Sequence, residues 1–108
     1  MAVEIHDNSK EVSDNIKAAL LLGLEKCGLT AERFAKKLAP YDTGNLRNSI
    51  THEVDDGESA VYIGTNVEYA PYQELGTINM DANPFLKPAV ADHANTYRKI
   101  IENELKNG

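Results

Sequence analysis

The chain has 108 residues, of which 42% are hydrophobic and 26% charged, with a formal net charge of −6 at pH 7. This composition is ordinary for a soluble globular domain, contains no apolar run long enough for a membrane span, and disfavours direct binding to nucleic acid phosphates. The single cysteine, Cys27, has no partner for an internal disulfide, so we expect a reducing compartment. We predict one domain over residues 1–108.

A long amphipathic helix is predicted over about residues 9–38. Apolar residues recur at steps of three and four, which places them on one helix face, at Val12, Ile16, Leu20, Leu24, Cys27, Ala31, Phe34 and Leu38. Gly28 leaves an alternative open, because it could end one helix before a restart capped by Thr30. We favour a continuous helix, since the apolar pattern stays in phase through the glycine. Pro40 ends it, because a proline disfavours helical geometry in the residue before it.

The stretch LAPYDTGNLRNSI, residues 38–50, contains an Asp-Thr-Gly triplet like the half-site of a dimeric aspartic protease. An aspartic dyad needs two carboxylates that share one proton, each placed on a loop after a buried apolar strand. Here a helix and a proline precede the triplet, so we assign no catalytic role. We predict a structural turn formed by Pro40, Asp42, Thr43 and Gly44. In it Asp42 makes an Asx-turn, Thr43 caps a short turn, and Gly44 permits a positive φ.

A β-hairpin is predicted over about residues 49–65. Apolar and polar residues alternate on both sides of the turn sequence DDG at residues 55–57. A short helical segment follows at about residues 69–75, and a second amphipathic helix at about residues 87–106, with Tyr97 facing the core. An isolated hairpin is marginally stable in water, so it has to pack on the helices or pair with further strands. The predicted fold class is therefore α+β, with two long helices packed on a small antiparallel sheet.

No group of residues has the spacing of a catalytic, metal or cofactor site. The histidines, His6, His52 and His93, are far apart in the sequence, and there is no glycine-rich phosphate loop with its lysine. Cys27 lies on the apolar face of the first helix, which indicates a small buried side chain rather than a reactive thiol. We expect no enzymatic activity, no metal and no cofactor.

The segment NVEYAPYQELGTINMDANPFLKPAV, residues 66–90, places aromatic and apolar side chains among loop residues. Tyrosine in particular is enriched at protein–protein interfaces. The candidate interface residues are Tyr69, Tyr72, Glu74, Met80, Pro84 and Phe85. The alternative is that these side chains close the core beneath the sheet. For Glu74, an ion pair with Arg47 and a solvent-exposed position are both open.

Three motifs occur in order along the chain: APYDTGNLRNSI after a long helix, YAPYQELGT after the hairpin strand VYIGTN, and NPFLKPAV before the last helix. In this order they resemble the HK97 gp10-like family of tailed-phage and prophage proteins, which are called tail-component, tail-completion or head–tail joining proteins. The resemblance runs from about Ala31 to the final helix. The positions that match the family's motifs are Pro40, Asp42, Thr43, Gly44, Leu46, Tyr69, Ala70, Tyr72, Glu74, Gly76, Thr77, Pro84, Phe85, Leu86, Pro88 and Ala89.

The resemblance implies a structural protein of the virion, made in the host cytoplasm, that assembles as a ring at the neck or the head-proximal end of the tail. The partners it implies are further copies of the chain and neighbouring tail-tube or head-connector proteins, with no sequence-specific nucleic acid and no membrane. The alternative function is an acidic interaction protein, such as a DNA mimic or an inhibitor of a host enzyme. Lysines interspersed on both long helices count against that alternative.

Overall fold

A computed structural model of the chain describes residues 2–6, 14–39, 44–78 and 81–107. Within these residues, three strands and five helices follow one another in the order β1 (Ala2–His6), α1 (Asp14–Leu38), α2 (Gly44–Ser49), β2 (Thr51–Asp55), β3 (Ala60–Gly64), α3 (Ala70–Leu75), α4 (Leu86–Ala91) and α5 (Ala94–Asn107). The predicted α+β class is confirmed, with helices packed on a small antiparallel sheet. Among the described residues, no helix is both long and apolar enough to span a membrane.

The sheet has three strands in the order β1-β3-β2, and both pairings are antiparallel. The predicted hairpin supplies β2 and β3, with Val54 opposite Val61 in the register. The sequence analysis did not predict β1, which pairs with the other side of β3. The hairpin therefore gains the additional strand that a two-stranded ribbon needs for stability in water.

Helix α1 is continuous from Asp14 to Leu38, so the alternative of a break at Gly28 is wrong. Its buried face contains most of the apolar residues predicted to lie on one face, including Leu20, Leu24 and Ala31. Ile16, near the N-terminal end of α1, is about half exposed. The buried face packs against β2, β3, α4 and α5. Helix α1 is thus the common support of the sheet and of the C-terminal helices.

Close approach of α1 to the sheet explains Gly28, a poor helix former near the middle of the buried face. A Cβ atom at Gly28 would lie 2.5 Å from Cδ2 of His52 and 2.9 Å from Cγ2 of Val61. These separations are shorter than any van der Waals contact between carbon atoms. The helix accepts the lower helix propensity of glycine because no larger residue fits between the helix and the sheet.

The predicted single helix over about residues 87–106 is wrong, because the chain breaks at Asp92 and His93 between α4 and α5. In an unbroken helix the Ala89 carbonyl would accept a bond from the His93 amide. Instead the Tyr97 hydroxyl donates to the Ala89 carbonyl, and the His93 amide donates to the Val90 carbonyl at 3.4 Å. The break separates α4, which packs on β1 and α1, from α5, which packs along α1.

The core lies between α1, the sheet and the C-terminal helices. Its largest fully buried side chains are Phe85, Leu20, Leu24, Leu46, Ile50, Ile63, Leu86, Val61 and Cys27. Tyr97 is 4% exposed, which confirms its predicted core position. Near the far end of α1, the rings of Phe34 and His93 stack with centroids 3.7 Å apart.

Candidate assembly surface

A buried carboxylate joins the second and third sequence motifs. Glu74, near the end of α3, is 5% exposed. Its Oε1 accepts hydrogen bonds from the backbone amides of Phe85 and Leu86 at 3.0 and 2.9 Å, and its Oε2 accepts one from the amide of Lys87 at 3.0 Å. These amides belong to the start of α4, where the first N–H groups have no partner within the helix. Glu74 is thus the N-terminal cap of a helix that begins 12 residues later.

The cap explains why a carboxylate is required inside this junction. Helix α4 has no cap from its own N-cap side chain, that of Phe85. An anion near a helix N-terminus also interacts favourably with the helix dipole. The solvent-exposed position considered for Glu74 is therefore wrong. The alternative of an ion pair between Glu74 and Arg47 stays a prediction.

The predicted interface residues separate into buried and exposed groups. Phe85 is fully buried and Tyr69 packs partly against the core, so both contribute to the interior of this chain. Tyr72 is 57% exposed and Pro84 is also exposed. Met80 lies outside the described residues. An interface role stays a prediction, and the side chains accessible for it are Tyr72 and Pro84.

Two further exposed apolar residues lie beside Tyr72. Leu75 is 71% exposed and Ile78 is fully exposed, although both are large aliphatic side chains. Between them Gly76 has φ 78°, and its amide donates to the Tyr72 carbonyl at 2.8 Å, which ends α3. We call Tyr72, Leu75 and Ile78 the apolar segment. The sequence did not indicate that Leu75 and Ile78 are exposed. It left the apolar residues of this region either in the core or at an interface, and only the structure separates the two groups.

The predicted structural turn is only partly visible, because Pro40, Asp42 and Thr43 lie outside the described residues. Gly44 is the first residue of α2, and within the described residues a positive φ occurs at Ser59 and Gly76 but not at Gly44. At the last residue of α2, the Ser49 hydroxyl donates to the Leu46 carbonyl and shares a hydrogen bond with the Thr65 hydroxyl. This contact ties the end of α2 to the residue that follows β3, so the junction motif does connect the helix to the sheet.

A histidine clamp joins α1 to β2. His52 points from β2 towards α1, where its Nδ1 lies 2.6 Å from Oε2 of Glu32 and its Nε2 lies 2.6 Å from Oε1 of Glu25. Both carboxylates are on α1, seven residues apart, with Gly28 between them. Only a doubly protonated imidazole can donate to two carboxylates at once. The clamp therefore favours the charged form of the ring.

The pKa values of the clamp agree with this geometry. Burial alone would lower the pKa of His52, but the hydrogen bonds to Glu25 and Glu32 outweigh it and raise the pKa above its ordinary value. Burial would raise the pKa of Glu32, yet its bonds to His52 and Lys36 lower it overall. The sequence analysis treated His52 as an isolated histidine. The sequence feature that could have indicated the clamp is the pair Glu25 and Glu32, seven residues apart on the sheet-facing side of a helix.

The described residues contain no group of histidine, cysteine and carboxylate side chains able to hold a metal ion. Cys27 is fully buried, its thiol lies 3.6 Å from the Tyr97 carbonyl, and burial raises the pKa of the thiol to about 11. The thiolate, which is the reactive form, is therefore disfavoured. This confirms the expectation of a small buried side chain at Cys27.

Residues 4–76 match a family model described as "Bacteriophage HK97-gp10, putative tail-component". The matched region covers well over half of the 108 residues. It begins in β1, before the region in which the sequence resemblance was recognised, and ends at Gly76, just after α3. The third motif and the last two helices lie beyond it. Neither a curated protein nor a solved structure matches the chain significantly.

Proposed function

The chain belongs to the HK97-gp10-like family of bacteriophage tail components, and on this premise we propose that it is a tail-completion or head–tail joining protein that forms a ring at the neck or the head-proximal end of the tail. Its place is the virion, and its role is structural rather than enzymatic. Its partners are further copies of itself and the adjoining tail-tube or head-connector proteins.

The observation that supports an assembly role is the apolar segment. Tyr72, Leu75 and Ile78 expose three large apolar side chains within seven residues. Scattered single apolar residues are common on protein surfaces, but a contiguous exposed group is typical of an interaction site. The segment lies on both sides of Glu74 in the chain, and the buried Glu74 cap holds α3 against α4. A partner would thus meet apolar side chains on a preorganised support.

The alternative of an acidic interaction protein has less support. A DNA mimic needs carboxylates on a continuous face without intervening cations. Here Lys17 pairs with Asp56 at 3.4 Å and Lys26 pairs with Glu104. Cations therefore interrupt the acidic surface at both places.

Deletion of the gene from its prophage, followed by complementation in trans, tests the proposed function. We expect the deletion to yield separate heads and tails by electron microscopy and to abolish infectious particles. The wild-type gene should restore both. Joined and infectious particles from the deletion strain would contradict the proposal.

The same complementation assay tests the apolar segment. We expect Leu75→Asp with Ile78→Asp to produce a folded protein that does not restore particles, because the substitution charges an apolar contact surface. The matched control is Leu29→Asp, at a leucine 47% exposed on α1. Equal titres from the segment variant and from wild type would show that assembly does not use this surface.

A further inference from the structure

Strand β2 forms an edge of the sheet. Among the described strands it pairs only with β3, so the other side of its backbone faces away from the sheet, whereas β1 at the opposite edge lies against α4. Within the described ranges of the chain, no further backbone hydrogen bond engages Thr51–Asp55. Such an edge is a template for pairing with another extended segment. We call this side of β2 the open edge.

An open groove of about 430 Å³ lies along β2 and β3 next to the open edge. Its lining includes Thr51, Glu53, Tyr62 and Gly64, and in the register Thr51 faces Gly64 and Glu53 faces Tyr62. Alternation along the strand places these four residues on the face away from α1, because His52 points towards α1. Gly64 adds no side chain to the groove. Alternate side chains of a segment paired with the open edge would therefore lie over the groove.

Carboxylates border the open edge on both faces of the sheet. Glu53 is exposed, and no ion pair or hydrogen bond engages its carboxylate within the part of the chain that the structure describes. Asp55 lies two residues further along the same face, where its carboxylate accepts from the Glu58 amide at 3.1 Å. On the other face, the half-exposed Glu25 has its Oε1 2.6 Å from Nε2 of His52. A cationic segment therefore complements this edge.

A second copy of this chain does not supply such a segment. The described strands have the sequences AVEIH, THEVD and AVYIG, which contain no lysine or arginine. Two β2 edges placed side by side would bring Glu53 and Asp55 of one copy close to the same residues of the other, and like charges on neighbouring strands repel. The net charge of −6 also disfavours self-association through an acidic edge. Charge complementarity thus identifies a different protein as the occupant.

We propose that the open edge binds an extended segment of another protein, with lysine or arginine at alternate positions, which adds to the sheet as a further strand. Backbone hydrogen bonds supply the affinity of such a contact, and alternate side chains supply its specificity. A cation over the groove meets the Glu53 carboxylate and the ring of Tyr62, whose hydroxyl donates to Glu58 at 2.6 Å. This inference rests on the proposed function, because an adjoining tail-tube or head-connector protein is the source of the segment.

Fluorescence anisotropy with labelled eight-residue peptides tests strand pairing on the purified full chain. We expect a peptide of alternating lysine and threonine to bind, and the peptide with glutamate in place of lysine to bind at least about tenfold more weakly. Two further lysine peptides are N-methylated at alternate amides, in opposite phase. In a paired strand one set of amides donates to the neighbour and the other set faces away, so one phase should abolish binding and the other should retain it. Absence of binding by the lysine peptide, or equal affinities of the two methylated peptides, would overturn the inference.

Variants of Glu53 locate the site on the chain. We expect Glu53→Lys to weaken binding of the lysine peptide about tenfold at low salt, and Glu53→Gln to weaken it less. The matched control is Glu102→Lys on α5, an exposed position that gives the same net charge and should change the affinity less than about twofold. Circular dichroism checks the fold of each variant. Equal losses for Glu53→Lys and Glu102→Lys would overturn the inference. Self-association of wild type that the lysine peptide blocks would assign the open edge to a second copy and would also overturn it.

Complementation of the deleted prophage separates the inference from the proposed function. We expect Glu53→Lys to lower the particle titre about tenfold and Glu102→Lys to restore it fully. If the deletion strain forms joined, infectious particles while the peptide binds the open edge, the proposed function fails and the binding site stands. If the deletion is defective but Glu53→Lys restores the wild-type titre, the tail role stands and the contact at the open edge is wrong.

Discussion

Two polar contacts hold distant parts of this chain together, and they work by different chemistry. The Glu74 cap joins α3 to α4 through one carboxylate and three backbone amides, which do not titrate. The clamp joins β2 to α1 through His52 and two carboxylates, and it needs a proton on the ring. The cap is buried, whereas Glu25 of the clamp is about half exposed. The difference predicts a pH-dependent contact at the sheet and a much larger energetic cost of disruption at the cap.

The largest effect is expected from Glu74→Ala. It leaves three amides at the start of α4 without an acceptor, so the free energy of unfolding should fall by about 2–4 kcal/mol. Glu74→Gln retains one acceptor oxygen and should cost about 1–2 kcal/mol. Urea denaturation measures both. Equal losses for the two variants would indicate that side-chain volume, and not hydrogen bonding, is what the site requires.

A smaller loss is expected from Gly28→Ala, which tests the close approach beneath the clamp. The new methyl group would meet the His52 ring at 2.5 Å, so the clamp or the helix has to move. We expect a net destabilisation of about 1–3 kcal/mol, although alanine has the higher helix propensity. The matched control is Gly23→Ala, where the nearest atom, 3.0 Å away, is the flexible end of Ile101. A stabilised Gly28→Ala protein in thermal denaturation would contradict the contact.

The smallest effect is expected from His52→Gln, and it should depend on pH. Because the pKa of His52 is raised by folding, its contribution is complete below about pH 6.5 and is lost as the pH rises through the raised value. Because the pKa of Glu32 is lowered, its contribution is present above about pH 4.3 and is lost as the pH falls through the lowered value. Between these two pH values, the free energy of unfolding of wild type should exceed that of His52→Gln by about 1–2 kcal/mol.

Denaturant titrations of the two proteins from about pH 4 to pH 9 test the clamp. The difference in unfolding free energy should be largest near pH 5–6 and decrease towards pH 9. A constant difference over this range would mean that His52 contributes by packing alone. The control is Glu74→Gln, which retains His52. Its difference from wild type in unfolding free energy is measured over the alkaline part of the same pH range.

The sequence predicted the elements whose evidence is local. Periodicity gave the long first helix, and alternation around the DDG turn gave the hairpin, with bounds close to those of β2 and β3. Strand β1 was not predicted, because the five residues AVEIH are stabilised by pairing with β3, which only the topology provides. At the break after α4, a tyrosine hydroxyl donates to a carbonyl eight residues earlier. Hydrophobic periodicity does not indicate such a bond.

The same limit applies to the candidate site. The sequence indicated that residues 66–90 contain either interface residues or side chains that close the core, and Tyr72 is exposed there. It did not indicate the role of Glu74, because the groups that the carboxylate binds are backbone amides 11 to 13 residues away, and every residue type except proline would supply them. Burial likewise separated Phe85 from Tyr72, two aromatic residues with the same expected role.

The Glu74 cap also bears on how the chain divides. The family match ends at Gly76, yet the amides that donate hydrogen bonds to Glu74 lie beyond that boundary, at the start of α4. A fragment that stops at the boundary would retain a carboxylate in an interior from which its donors have been removed. Such a fragment should not fold by itself, so the family-defining region and the folding unit are different lengths of chain. The C-terminal helices are then an integral part of the domain rather than an extension that a shorter relative could omit without a substitute for this cap.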